Sequence, residues 1–127
     1  MSRILIIDDD QHMRKACSRV LEMAGWDVLC AETGDEGLAA VRNATGPIDA
    51  MLVDRLMPGM SGTDVLAEMR AINPNLPVII MTGSATEDSV DELKGKGAFD
   101  CLPKPFTPEQ LRDILHLALN SRIPSSD

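Results

Sequence analysis

Short apolar runs alternate five times along this chain with stretches of helical spacing, and that alternation leaves few ways to fold. The first run, Ile4 to Ile7, carries no polar residue on either face, so it reads as a strand buried on both sides. It ends at three aspartates, Asp8, Asp9 and Asp10. Met13, Ala16, Cys17, Val20 and Leu21 then recur at helical spacing, and Gly25 suits the residue that closes a helix. Trp26 to Ala31 predicts a second strand. Thr33 to Val41 predicts a second helix, with Thr33 as N-cap and Glu36 as its capping-box partner. After the Gly46-Pro47 loop, Ile48 to Val53 forms a third strand that ends at Asp54. Gly62 to Ile72 is a third helix, stopped by Asn73-Pro74-Asn75. Pro77 to Met81 is a fourth strand, ending at Thr82-Gly83-Ser84. A weaker helix covers Glu87 to Lys94, and Ala98 to Leu102 is the fifth strand. The last helix runs from Pro108 to Asn120, capped by Thr107.

Strand and helix alternating five times imply an α/β, doubly wound (βα)5 fold: a five-stranded parallel sheet with helices on both faces. Residues 1–120 are expected to form one domain, and 121–127 a polar tail, either a frayed end or the start of a linker. Only 2% of the residues are aromatic, so the core must be aliphatic. Sheets of this kind bind ligands beyond the carboxyl ends of their strands. The polar residues at those ends are Asp8, Asp9 and Asp10 after strand one, Asp54 after strand three, Thr82 and Ser84 after strand four, and Lys104 after strand five. The fold predicts that they converge from distant parts of the chain.

Clustered carboxylates repel one another unless a cation neutralises them. Hard oxygen ligands suit Mg²⁺, usually held by a few carboxylates and a phosphate oxygen. A metal, a lysine and a hydroxyl together suit phosphoryl transfer, with Lys104 and Thr82 on the transferred oxygens. One carboxylate must stay free as nucleophile. Asp54 fits best, because it stands alone at a strand end and Met57-Pro58-Gly59 opens a loop beside it.

Net charge narrows the partners. At −8 the chain is repelled by phosphate backbones, so direct nucleic-acid binding by this segment is not expected. Cys17, Cys30 and Cys101 are odd in number and lack CxxC spacing, which fits reduced thiols and a cytoplasmic setting. The apolar run at Ile4 is too short for a signal peptide or a membrane span.

Four motifs stand in order over residues 3 to 120: Ile6-Ile7-Asp8-Asp9-Asp10, Val53-Asp54-Arg55-Leu56-Met57-Pro58-Gly59-Met60-Ser61-Gly62, Met81-Thr82-Gly83, and Gly97-Ala98 through Leu102-Pro103-Lys104-Pro105-Phe106. Together they resemble the receiver domains of two-component response regulators. The resemblance implies a flavodoxin-like, CheY-like fold and a phosphoacceptor role for Asp54, which would take its phosphoryl group from a histidine kinase or phosphotransfer protein. It implies Mg²⁺ as cofactor, held by Asp8, Asp9, Asp54 and the Leu56 main-chain carbonyl. Thr82 and Lys104 would bind the phosphoryl group, and the Lys104–Pro105 peptide bond would be cis. Such a domain catalyses only its own phosphorylation and dephosphorylation. It would act on an output domain or a downstream protein, and a homodimer through the fourth helix, fifth strand and fifth helix is consistent with the family.

The chain departs from the family three residues before the lysine, where a Tyr or Phe is usual and Cys101 stands instead. That aromatic swings inward as the threonine moves, so Thr82 and Cys101 are the switch positions to watch. Arg55 follows the acceptor at a position where the family varies, and could reach an anion or a partner or sit in solvent. Two other readings set the tests. A phosphorylation-independent pseudo-receiver, a binding module, is favoured only by Cys101. A phosphohydrolase of haloacid-dehalogenase type would use Asp8-x-Asp10, but Gln11-His12 follows where small residues are usual. Asp10 is read as a helix cap, Ser84 as a cap or turn residue, and His12 and His116 as surface or structural groups rather than phosphodonors. Trp26 is expected at the end of the sheet away from the site.

Overall fold

The computed structural model describes residues 2–43, 46–83 and 90–121. Ten elements follow in order: β1 (Arg3–Ile7), α1 (Gln11–Met23), β2 (Asp27–Ala31), α2 (Gly34–Asn43), β3 (Ala50–Asp54), α3 (Gly62–Ile72), β4 (Val78–Thr82), α4 (Val90–Gly95), β5 (Asp100–Pro103) and α5 (Pro108–Asn120). All strands are parallel, in the order β2-β1-β3-β4-β5.

The uniform apolarity of the central strands has a direct cause. Side chains alternate between the two faces of a strand, and here both faces are covered. Leu5, Ile7, Met51, Val53, Val78 and Ile80 pack with Leu38 of α2, Val65, Leu66 and Met69 of α3, and Leu93 of α4. Ile4, Ile6, Leu52, Ile79 and Met81 turn the other way, onto Cys17 and Leu21 of α1 and Leu111, Ile114, Leu115 and Ala118 of α5. The largest fully buried side chains are Ile, Leu and Met, the aliphatic core that the composition required.

Helix ends follow their local chemistry. Asp10 caps α1, its carboxylate accepting from the His12 N–H at 2.9 Å. Ala24 closes that helix, and Gly25 beyond it holds φ +94°, the left-handed conformation that glycine adopts without penalty. Thr107 and Gln110 form a full capping box on α5. Ser61 and Asp64 form another on α3, the pattern Ser61-x-x-Asp64 at a helix start.

Several boundaries differ from expectation. The second strand starts at Asp27: the Trp26 N–H donates to the Leu21 carbonyl at 3.2 Å, outside the ladder, and its ring stands edge-on to His116, centroids 4.7 Å apart. The third starts at Ala50, later than Ile48, and the fourth and fifth run to Thr82 and Pro103. Glu36 does not complete a capping box: its carboxylate accepts from the Glu32 N–H, although the Thr33 hydroxyl does accept from the Glu36 N–H. Ser84, Glu87, Asp88 and the tail 122–127 lie outside the described residues, so the expected start of the fourth helix at Glu87 is not among them.

Gly62 marks a close approach of helix to strand backbone. A Cβ there would lie 2.5 Å from the Asp54 carbonyl oxygen and 2.9 Å from the Arg55 Cα. Both are backbone atoms, so nothing nearby can rotate away. Gly62→Ala is expected to destabilise the fold by about 1–3 kcal/mol, read as a lower thermal midpoint. An unchanged midpoint would mean that the β3–α3 junction yields freely.

Candidate functional site

Four strand ends build the site. The order β2-β1-β3 places the reversal of winding between β1 and β3, where a crevice opens beyond the strands. Ile7 pairs with Val53, so Asp8 and Asp54, each one residue on, leave neighbouring strands side by side. Asp54 pairs in turn with Met81, which brings Thr82 to the same end. Thr82 pairs with Pro103, and the Lys104 N–H donates to the Thr82 carbonyl at 2.7 Å. Main-chain ladders thus bring Asp8, Asp54, Thr82 and Lys104 to one place.

The side chains meet there. Lys104 Nζ donates to Asp54 Oδ1 at 2.9 Å and stands 3.7 Å from Asp8 Oδ2. Asp8, Asp54 and Thr82 are the buried polar residues of the described chain, and Asp8 is wholly enclosed. Asp9 is exposed, at the mouth. One carboxylate oxygen from each of Asp8, Asp9 and Asp54 falls within 4.8 Å of the others. The Lys104–Pro105 bond is cis, as expected.

Electrostatics at this spot are unbalanced. Burial pushes the Asp8 carboxyl up from the ordinary range, and the charge of Asp54 adds to the push; the Asp10 N–H and Lys104 oppose it. Asp8 Oδ1 accepts from the Asp10 N–H at 2.9 Å, while the buried Oδ2 has no hydrogen-bond partner. Burial works against the Lys104 ammonium, but the hydrogen bond and charge of Asp54, with Asp8 behind it, outweigh that and raise its pKa. An enclosed carboxylate oxygen without a donor, among three carboxylates and one lysine, is what a divalent cation would complete. The donor set therefore fits a hard, oxygen-liganded ion.

Other expected residues are placed as follows. Leu56 lies in the loop after β3 with its side chain 59% exposed. Cys101 is buried on β5, within the cluster under α2, α3 and α4. His12 and His116 are exposed. Arg14 was not anticipated: its Nη1 donates to the Asp8 carbonyl at 2.7 Å and so braces the end of β1. Its position six residues on gives no sequence signal for that bond.

Residues 4–116 match the response regulator receiver domain family. The chain belongs to that family. A transcriptional regulatory protein CpxR homolog from Haemophilus influenzae is 37% identical over 113 residues, covering 87% of this chain and 47% of that protein. The DNA-binding transcriptional regulator NtrC of Salmonella typhimurium is 37% identical over 117 residues, 92% of this chain and 24% of its own length. The chain thus spans half or less of these two relatives. Among solved structures, a response regulator receiver domain protein from Clostridium thermocellum superposes with TM-score 0.89 at 35% identity, covering 95% of this chain and 96% of its own. The chemotaxis protein CheY4 of Vibrio cholerae gives 0.86 at 31% identity, covering 94% and 99%. This receiver domain is therefore a CheY-like signalling module of the two-component type. None of the helices among the described residues is long and apolar enough to cross a membrane.

Its tryptophan offers a control on the site. Trp26 stands beside the Arg3–Asp27 end of the sheet, opposite the Ile7–Ala31 end that leads to Asp8. Mg²⁺ is expected to leave Trp26 emission almost unchanged, measured by fluorescence titration. A strong quench would mean that the ion reaches the far end of the sheet or that the fold couples the two ends.

Proposed function

We propose that this receiver domain accepts a phosphoryl group on Asp54 from the phosphohistidine of a kinase or phosphotransfer protein, with Mg²⁺ as cofactor. The observation that carries the reading is the Lys104 ammonium set 2.9 Å from buried Asp54, with the unsatisfied Asp8 oxygen beside it. Asp8, Asp9, Asp54 and the Leu56 main-chain carbonyl would hold the ion, which when bound would neutralise charge on the transferred group. An Asp54 carboxylate oxygen attacks phosphorus, the bond from phosphorus to the donor breaks, and the donor leaves with its electron pair. Lys104 stabilises the oxygens of the group in transit, and the Thr82 hydroxyl donates to another. Nothing is turned over in the manner of an enzyme: the domain modifies and demodifies itself.

The receiver unit is taken as residues 1–120, working in the cytoplasm. Phosphorylation biases the Thr82 and Cys101 region and with it the α4–β5–α5 face, where Val90 and Leu117 are exposed. That face is the surface offered to an output domain, a downstream protein or a second copy. Cys101 fills less space than an aromatic ring, so the switch here works by main-chain and helix movement more than by a swinging ring. The complete set Asp8, Asp9, Asp54, Thr82 and Lys104 speaks against a pseudo-receiver. The phosphohydrolase reading would make Asp8 the nucleophile, and Asp8 is sealed from solvent.

The test is intact-mass analysis after incubation with acetyl phosphate and Mg²⁺. One hydroxylamine-labile phosphoryl adduct is expected, absent from Asp54→Asn and lost with EDTA. If the folded wild type gains no adduct and also fails to bind beryllofluoride, the phosphoacceptor reading is wrong and the binding module takes its place.

A further inference from the structure

We infer that the groove between α1 and the outer edge of β2 is a docking site for an acidic, extended segment of a partner protein. It lies apart from the phosphoacceptor crevice and asks nothing of its chemistry. Its volume is about 640 Å³, and Arg14, Lys15, Ser18, Arg19, Met23 and Cys30 line it. Glu22 is the one acid in the wall.

Charge selects the occupant. The chain carries −8, so a groove with three cations and one acid runs against the rest of its surface. Arg14 is engaged by the Asp8 carbonyl and lies 3.8 Å from Glu32. Lys15 and Arg19, one helical turn apart, are exposed and have no ion-pair partner among the described residues. Two unpaired cations in line attract carboxylates spaced along a chain.

Shape and backbone favour an extended segment over a small anion. β2 is an end strand of the sheet, so its outer edge has no neighbour. Asp27 donates its N–H to Ser2, and the Ala31 carbonyl accepts from Asp8, so these residues turn their main-chain groups towards β1. By alternation Val28 and Cys30 turn theirs to the open edge, where a peptide strand could pair. Met23, 83% exposed, gives the groove an apolar end that a simple polyanion would leave unused.

Cys30 supplies the readout. It is exposed, whereas Cys17 and Cys101 are buried, and burial pushes the Cys17 thiol up to about 11. The probe is a capped peptide of alternating Glu and Val, added to the full chain during alkylation with neutral iodoacetamide. At four-fifths occupancy the Cys30 rate should fall about fivefold, by simple mass action. Protection should vanish in Lys15→Glu/Arg19→Glu, a surface variant whose fold is checked by its melting curve, and reappear there with a Lys-Val peptide. Failure of the peptide to protect the wild type overturns the proposal. So does equal protection by polyglutamate or inorganic polyphosphate, which would mean a general anion surface, and so does protection that survives the charge reversal.

Discussion

Asp8→Asn is expected to raise the thermal midpoint of the metal-free protein and to abolish its stabilisation by Mg²⁺. Both effects come from one buried oxygen. Asp8 is fully enclosed, and its Oδ2 finds no donor. Burial, with the charge of Asp54, raises its pKa above the ordinary 3.8. A carboxyl raised on folding favours the folded state below its unfolded pKa, and that advantage is lost as pH rises through the folded value. An ionised Asp8 therefore weakens the metal-free fold.

The amide removes that charge while its oxygen can keep the Asp10 N–H bond. Its new N–H group faces Asp54 and Lys104, and what is lost is an ion pair of 3.7 Å. The net gain should be about 1–2 kcal/mol, or roughly 3–6 °C for a domain of this size. The gain should shrink as pH falls through the raised Asp8 pKa, because the wild-type carboxyl is then itself neutralised. Mg²⁺ at about 100 times its dissociation constant would stabilise the wild type by about 2.7 kcal/mol and Asp8→Asn hardly at all. Thermal melts with and without Mg²⁺ read both arms. A destabilised metal-free variant, or a retained Mg²⁺ shift, would show that Asp8 does not play this part.

Much of this site could be read before the fold was known, for a specific reason. In a parallel sheet with short connections, strand ends fall together, so locating five apolar runs also locates Asp8, Asp54, Thr82 and Lys104. The long helices α3 and α5 were legible through their ends, α3 through the Asn73-Pro74 stop and α5 through the Thr107 cap, and both span the residues expected. Strand starts were not, because apolarity continues past the point where pairing begins. Trp26 and Ile48 are apolar and packed, yet they lie outside the ladders. Arg14 and Gly62 were invisible for another reason. Their parts depend on three-dimensional approach, of a guanidinium to the Asp8 carbonyl and of a helix to the Asp54 carbonyl, and no periodicity encodes either.

Lys104→Met should reveal how far this cation alone holds the site together. Its Nζ is the hydrogen-bonded counterion of Asp54 and lies near Asp8. Those charges raise its pKa against the effect of burial. A lysine raised in this way contributes fully below its unfolded value, so at neutral pH the whole contribution is in force. Methionine keeps the length and apolar stem and removes the charge, which leaves two buried carboxylates facing each other. Breaking a buried pair costs about 3–5 kcal/mol; the lysine side chain here is 25% exposed, so about 2–3 kcal/mol is expected. Two further measurements separate this cause from simple misfolding. Saturating Mg²⁺ should restore much of the loss, because a second cation then faces the same carboxylates. Asp54→Asn in the Lys104→Met background should also restore part of it, giving a non-additive double-mutant cycle. A loss that Mg²⁺ does not touch, with a strictly additive cycle, would mean that Lys104 acts through packing and that charge balance is not what this crevice is built on.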